Sequence, residues 1–321
     1  MKKGSSTLLI TPGDVNGIGP ELFFKSYRKY KELFERTVLV GSKEVFENYT
    51  KLFSIEEDIN YIKDIDDLLE WKINILDVLK PYDIETGKIT KEAGLFSYKA
   101  VEKAIELYKE SKADAIITLP ICKESWYKAG IRFPGHTEVF ASSGYGKEFS
   151  MIMYSPKFSV ILVSIHESIK DVPSLITKEA VAKTVRHALE FGDQVYGDDL
   201  SMAVCSLNPH GGEGGNIGEE EKHIIDALKS FDDNRVPKIP LAADTLFYHV
   251  AKKRYNMVVC MYHDQGLIPF KMNNFDDGVN VTWGTGIKRT SPDHGTAFDI
   301  AGKGVADTGS FVAAIRLAKK L

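Results

Sequence analysis

Short, continuous apolar runs recur along the chain, separated by stretches in which apolar positions return every three or four residues. The runs read as strands: residues 7–11, 37–41, 73–78, 113–119, 150–155, 158–166, 201–207, 257–263 and 278–283. Between them, Ala93, Phe96, Ala100, Ala104 and Tyr108 return at helical spacing across 92–110. Residues 178–192 and 218–229 behave the same way, with Thr177 placed to cap the first of these two. Such alternation predicts an α/β fold with a mostly parallel sheet covered on both faces. One stretch departs from it. In 150–166 two apolar runs flank Ser155-Pro156-Lys157, which predicts a hairpin and a mixed portion of sheet in the middle of the chain.

Composition narrows the function classes. The chain has 321 residues, 43% apolar and 27% charged, enough for two domains or one large α/β unit. A net charge of −4 argues against nucleic acid as a partner, yet a few local cations suffice for a small anionic substrate. No apolar run approaches the roughly 18 residues of a membrane span, so no membrane partner is expected. The apolar segment behind the basic N-terminus is too short for a signal peptide. Cys122, Cys205 and Cys260 show no metal-type or redox-type pairing, and free thiols in a reducing, cytoplasmic setting are expected. The acidic run 64–70 reads as a solvated face.

Candidate chemistry collects beyond the apolar runs. His166, His210 and His263 each stand at or just past the end of one, at the edge where open α/β sheets bind ligands. Three neutral imidazoles on one edge would suit zinc or a related divalent ion, with positions left for substrate. The plain alternative is three polar loops. His187, His223 and His249 fall inside helical patterns and read as structural. The stretch "MYHDQGLIPF" (261–270) is expected to leave its strand at His263 and turn on Gly266. No Walker-type phosphate loop or GxGxxG fingerprint is present. "GDVNGIGPE" (13–21) could cradle an anion at a helix N-terminus or serve as a tight turn needing positive φ. Glu219–Glu221 are expected to complement a helix dipole. Lys271, Lys288 and Arg289 are the cations suited to an acidic ligand, and Asn280, inside an apolar strand, needs partners.

Taken together, "TPGDVNGIGPE" (11–21), "PICKE" (120–124), "GHTE" (135–138), "LNPHGGEGG" (207–215), "YHDQGLIPFK" (262–271) and "HGTAFDIAGKG" (294–304) resemble the 4-hydroxythreonine-4-phosphate dehydrogenases of vitamin B6 synthesis. The resemblance covers essentially the whole chain. It implies a two-domain αβα fold similar to isocitrate and isopropylmalate dehydrogenases. Residues 1–125 with 270–321 would form a terminal domain carrying the cofactor loop. Residues 126–269 would form a middle domain with the metal ligands and the dimer interface. The implied reaction is NAD-dependent, metal-dependent oxidation of 4-phosphooxy-L-threonine at its 3-hydroxyl. Decarboxylation then gives 3-amino-2-oxopropyl phosphate for pyridoxal 5'-phosphate synthesis. D-threonate and D-erythronate 4-phosphate dehydrogenases belong to the same family and are the alternative. A non-catalytic binder of phosphorylated acids is a third reading.

Residue by residue, the resemblance maps metal ligands (zinc first, magnesium or cobalt otherwise) onto His166, His210 and His263. It maps substrate contacts onto His136, Thr137, Lys271, Asn280 and Arg289. The cofactor loop would use His294, Gly295, Thr296, Ala297 and Asp299, and its adenine-side role explains the missing Rossmann fingerprint. The general base stays open among Lys123, Asp244 and Asp264, and Asp264 has the alternative of orienting a metal-bound histidine. The family implies a homodimer whose sites are shared across the subunit interface. This chain departs from the usual motif in carrying Val15-Asn16, where many members have proline after Gly-Asp, and in the charged Glu167 beside His166.

Overall fold

The computed structural model describes residues 6–144 and 148–321. In chain order its first segment runs β1 (Leu8–Thr11), α1 (Gly19–Lys29), β2 (Thr37–Gly41), α2 (Lys43–Leu52), β3 (Ile59–Ile62), β4 (Ile73–Asp77), α3 (Lys91–Lys109), β5 (Ala115–Thr118), α4 (Lys123–Lys128) and α5 (His136–Ser143). The middle segment follows with β6 (Ser150–Tyr154), β7 (Ser159–Leu162), α6 (Val172–Leu175), α7 (Lys178–Val195), β8 (Met202–Val204), α8 (Glu221–Lys229), α9 (Ala243–Ala251), β9 (Met257–Cys260), α10 (His263–Asn274) and β10 (Val279–Trp283). The chain closes with β11 (Arg289–Pro292) and α11 (Gly309–Ala318).

Two compact units result: residues 1–148 with 285–321, and residues 149–284. In the first, the strand order is β3-β4-β2-β1-β5-β11, and every pairing is parallel. Strands β1, β2 and β5 are buried throughout, as a parallel sheet covered on both faces requires. Leu9, Val38 and Ile116 face Ala100, Val101 and Ala104 of α3 in one core cluster. Thr90 caps α3 by accepting from the Ala93 amide at 3.2 Å.

In the second unit the order is β10-β6-β7-β9-β8. The β6–β7 pair is the expected antiparallel hairpin, with Ile152 opposite Ile161. β10 is antiparallel to β6, and β7, β9 and β8 run parallel. Mixed sheet therefore sits in the middle of the chain.

The boundaries drawn from the sequence at 125/126 and 269/270 move to 148/149 and 284/285. Trp126, Val139 and Phe140, from α4 and α5, pack into the same cluster as Leu9 and Ile116, which keeps both helices in the first unit. Leu267 and Phe270 of α10 pack with Met153 and Val160, and β10 is hydrogen-bonded to β6, which keeps both in the second. Among the described residues no helix is long and apolar enough to cross a membrane.

Two further expectations are corrected. His263 does not open a loop that turns on Gly266: it is the first residue of α10, and Gly266 lies within that helix. A Cβ at Gly266 would lie 3.0 Å from the Cys260 sulfur, so glycine allows the helix to lie close to β9. The glycines of 13–19 are close-approach positions and not an anion cradle. Gly13, at φ +68°, abuts Pro120, while a Cβ at Gly17 would lie 2.7 Å from the Thr296 carbonyl oxygen. That same carbonyl takes the Ile18 amide at 3.0 Å, so the segment holds protein backbone where an anion would sit.

Candidate active site

In the second unit, the chain beyond β7 is tied to the end of β9. The Ser164 amide and hydroxyl both donate to the Met261 carbonyl, at 3.1 and 2.8 Å. This brings His166 beside His263, with ring centroids 5.6 Å apart. Asp264 Oδ1 lies 2.8 Å from His263 Nδ1, an orienting contact that leaves Nε2 for a ligand.

His210 is positioned differently. It opens a run of left-handed backbone, with φ of 54° at His210, 68° at Gly211, 75° at Gly212, 45° at Glu213 and 67° at Gly214. Among the described residues no three His, Cys, Asp or Glu side chains are gathered to hold one metal ion, so His210 stands apart from the His166–His263 pair. The donor chemistry nevertheless fits a borderline transition ion: two accessible imidazoles, one of them held by a carboxylate.

Two residues hold this region, one that pattern did not single out and one read only as a dipole partner. Gln265 is buried, accepts from the Met261 amide at 2.7 Å and donates to the Ser206 carbonyl at 2.8 Å, linking the start of α10 to the segment that leads to His210. Glu221 does more than complement a dipole. Its carboxylate accepts from the amides of Leu207 and Asn208 at 3.0 and 2.7 Å and from the Asn208 side chain at 2.9 Å. Lys271 lies further along α10, and Asn280 stands on β10 opposite Met153. Among the described residues the buried Asn280 Oδ1 has no hydrogen-bond partner. Asp244 is exposed on α9 and does not join the histidine pair in a ligand group.

In the first unit, β5 and β11 bring Thr118 and Arg289 together. Arg289 is only 3% exposed, and its Nε and Nη2 donate to Thr118 Oγ1 at 3.0 and 2.9 Å. The guanidinium lies 5.5 Å from the Phe140 ring centre. Burial pulls its pKa down to about 10, so it keeps its charge at neutral pH. His136, the first residue of α5, is buried with its ring edge-on to Trp126 at 5.8 Å. Burial, assisted by the Arg289 cation, holds His136 well below the usual imidazole range and therefore neutral. Its Nε2 is buried without a partner. Thr137 follows, half-buried, and the Lys123 side chain passes beside Gly135.

The 294–299 loop leaves β11 and lies against the 13–19 segment through Thr296. His294 Nε2 is buried and unpartnered, and burial lowers its pKa. Ala297 adopts φ 43°, no heavy atom lies within 4 Å of a Cβ built at Gly295, and Asp299 is exposed. The loop thus presents an open glycine, a buried ring nitrogen and an exposed carboxylate, groups of the kind a polar ligand can use.

Asp14, fully buried within the 13–19 segment, accepts from Ser125 Oγ at 2.7 Å and from the Asn16 amide at 3.1 Å. Burial pushes its carboxyl up from 3.8 to about 6. Between these two values the folded chain holds a proton that the unfolded chain releases. The stability carried by the protonated form is therefore full below pH 3.8 and is lost as pH rises through about 6. The loss is on the order of 3 kcal/mol. Asp14→Asn is expected to remove that slope, raising the urea midpoint at pH 8 relative to wild type. An unchanged slope between pH 4 and 7 would show that another group is responsible.

The fold is a two-unit α/β fold, and comparison with known proteins gives its class as a dehydrogenase. The profile described as "Pyridoxal phosphate biosynthetic protein PdxA" matches residues 33–318, and the chain belongs to this family. It is 40% identical over 314 residues to the 4-hydroxythreonine-4-phosphate dehydrogenase of Sulfurihydrogenibium sp. (strain YO3AOP1), covering 97% of each chain. It is 36% identical to the D-threonate 4-phosphate dehydrogenase of Cupriavidus necator, covering 97% of this chain and 96% of that one. The crystal structure of 4-hydroxythreonine-4-phosphate dehydrogenase from Klebsiella pneumoniae superposes with a TM-score of 0.87 at 32% identity, covering 100% of this chain and 99% of that one. In fold alone, a β-decarboxylating dehydrogenase from Thermococcus kodakarensis is similar, with a TM-score of 0.52 at 15% identity over 96% of this chain and 81% of that one.

Proposed function

We propose that the chain oxidises 4-phosphooxy-L-threonine at its 3-hydroxyl with NAD and a divalent ion, zinc foremost, and that loss of CO2 then gives 3-amino-2-oxopropyl phosphate. The observation that carries the reading is the pairing of His166 with His263, whose Nδ1 is held by Asp264. A bound divalent ion would supply a Lewis acid for the hydroxyl oxygen, and a bound nicotinamide would accept the hydride. His166 and His263 would hold the ion, with Asp264 fixing the tautomer of His263.

Arg289, kept cationic and oriented by a neutral hydroxyl, would grip the phosphate or carboxylate in bidentate fashion. Neutral His136 would offer Nε2 to a substrate oxygen, Asn280 would offer its unpartnered Oδ1 to a donor on the substrate, and Lys271 would add a point charge. His294, Gly295, Thr296, Ala297 and Asp299 would seat the dinucleotide. Asp264 is engaged with His263, and the general base stays open among Lys123, Asp244 and Asp264.

The proposal includes a homodimer in the cytoplasm. Met272 and Phe275, 81% and 78% exposed, continue with Ile268 an apolar stripe on and just past α10, the helix that carries His263 and Lys271. A second copy covering that stripe would bury it and bring a His210 to complete the histidine set.

The test is NADH formation at 340 nm by metal-stripped protein, with and without zinc, on 4-phosphooxy-L-threonine, D-threonate 4-phosphate and D-erythronate 4-phosphate. Zinc-dependent turnover favouring the first supports the proposal. Preference for either sugar acid moves the chain to sugar-acid catabolism with the same machinery, a reading that the 36% identity to the Cupriavidus enzyme keeps in play. Absence of both metal and NADH binding would leave a binder of phosphorylated acids.

A further inference from the structure

The stretch 78–90 contains neither helix nor strand, yet it is fastened at one point with unusual thoroughness. Asn16, fully buried, donates from Nδ2 to the Lys88 carbonyl at 3.0 Å and to Thr90 Oγ1 at 3.2 Å. Its Oδ1 accepts from the Glu85 amide at 3.1 Å, and its own carbonyl accepts from the Gly87 amide at 2.7 Å. Lys88 closes the turn by donating its amide to the Glu85 carbonyl at 3.0 Å, with Gly87 at φ +80° in the position where a type II turn calls for glycine.

This turn lies against the segment that follows β11. A Cβ at Gly87 would lie 3.1 Å from the Phe298 carbonyl oxygen, and a Cβ at Gly302 would lie 3.0 Å from the Thr86 methyl. From the other side, Ile18 donates to Thr296. The 294–302 loop has few bonds of its own: Ile300 to Ala297, Lys303 to Ile300, and a 3.3 Å contact of His294 with Gly295. Its path, with a left-handed residue at Ala297 and another at Gly302, is therefore set largely by what packs behind it.

We infer that Asn16 is a positioning residue for the dinucleotide: it clamps the 85–88 turn behind the 294–302 loop and thereby fixes that loop in its binding shape. The inference rests on reading this loop as the cofactor seat. The side chain of Asn16 is committed to Glu85, Lys88 and Thr90, so its removal is expected to act on cofactor affinity before it acts on chemistry. Gly87 contributes from the turn's side, because a β-carbon there would strain the turn and press on Phe298.

The experiment is a fluorescence titration of NADH into zinc-replete full-length protein, for wild type, Asn16→Ala, Asn16→Asp and Gly87→Ala. For Asn16→Ala the NADH dissociation constant is expected to rise about tenfold, with KM for NAD rising in parallel. kcat at saturating NAD, zinc content and the affinity for the phosphorylated substrate should stay near wild type. Asn16→Asp, which keeps the acceptor for Glu85 and loses the donors to Lys88 and Thr90, should fall between. Gly87→Ala should shift the same constant while the Asn16 side chain stays in place, which keeps the test decisive if Asn16→Ala fails to fold. A simple stability role would lower the melting temperature of these variants and leave NADH affinity unmoved, and that result overturns the inference. A wild-type protein that binds zinc and substrate but not NADH overturns the cofactor-seat reading and the inference with it.

Discussion

Replacing His263 by alanine is expected to leave a folded protein that retains no zinc after dialysis and whose kcat/KM has fallen by about three orders of magnitude or more, the scale of losing several kcal/mol of transition-state stabilisation. The stability cost should be small, because the ring is 38% exposed at the first residue of α10 and contributes little to the core behind it. Zinc content by mass spectrometry, circular dichroism and NADH formation separate the three effects. Wild-type turnover in a zinc-replete assay of the variant would sink the assignment of this histidine. Asp264→Asn offers a graded companion, with metal affinity expected to drop about 10- to 100-fold because the ring loses its orienting carboxylate while both imidazoles remain.

Arg289→Met is expected to separate binding from folding. The substrate dissociation constant should rise at least about 100-fold, since a charge-assisted bidentate grip contributes roughly 3 kcal/mol or more. The fold should persist, because methionine fills a similar volume and relieves the cost of burying a guanidinium. Contacts of the guanidinium are lost, those to Thr118 Oγ1 among them, and that hydroxyl can turn to another partner. Arg289→Lys should not restore affinity, as an ammonium lacks the planar fork. Urea unfolding and calorimetric titration of the phosphorylated substrate check both parts. A variant that loses stability and keeps substrate affinity would make Arg289 a structural cation.

What pattern alone disclosed, and what it hid, follows from where each signal lies. Strands β1, β2, β5, β7 and β9 were legible because strands buried on both faces are continuously apolar. β11, "RTSP", was invisible as a strand because its buried side chains are polar and are satisfied from other elements, Thr290 by the Ala314 carbonyl and Arg289 by Thr118. α10 was missed because Gly266 and Pro269 look like breakers, and because its apolar residues face both inward, at Leu267 and Phe270, and outward, at Ile268 and Met272. The histidines drew attention by their place after apolar runs. Arg289 was legible only as a cation suited to an acidic ligand, and the substrate role proposed for His136 came from family resemblance, since neither burial nor an orphan nitrogen leaves a mark on the sequence. Gln265 and Asp14 escaped notice, and Glu221 was read only as a dipole partner, for a related reason. Gln265 reaches Ser206 and Asp14 reaches Ser125, partners far apart in sequence that only the folded chain brings together.

The ladder that closes the second unit has a consequence for how the chain is made. β6 opens that unit and β10 ends it, and the two strands pair antiparallel with Ser150 opposite Trp283. The unit's entrance and exit are thus neighbours, and everything its sheet needs has been synthesised once Trp283 leaves the ribosome. The first unit is in the opposite position. β5 waits for β11, and the cover supplied by α11 arrives within the last residues of the chain. The unit begun first is finished last, and until then the β5 edge stands open as a site for wrong pairing.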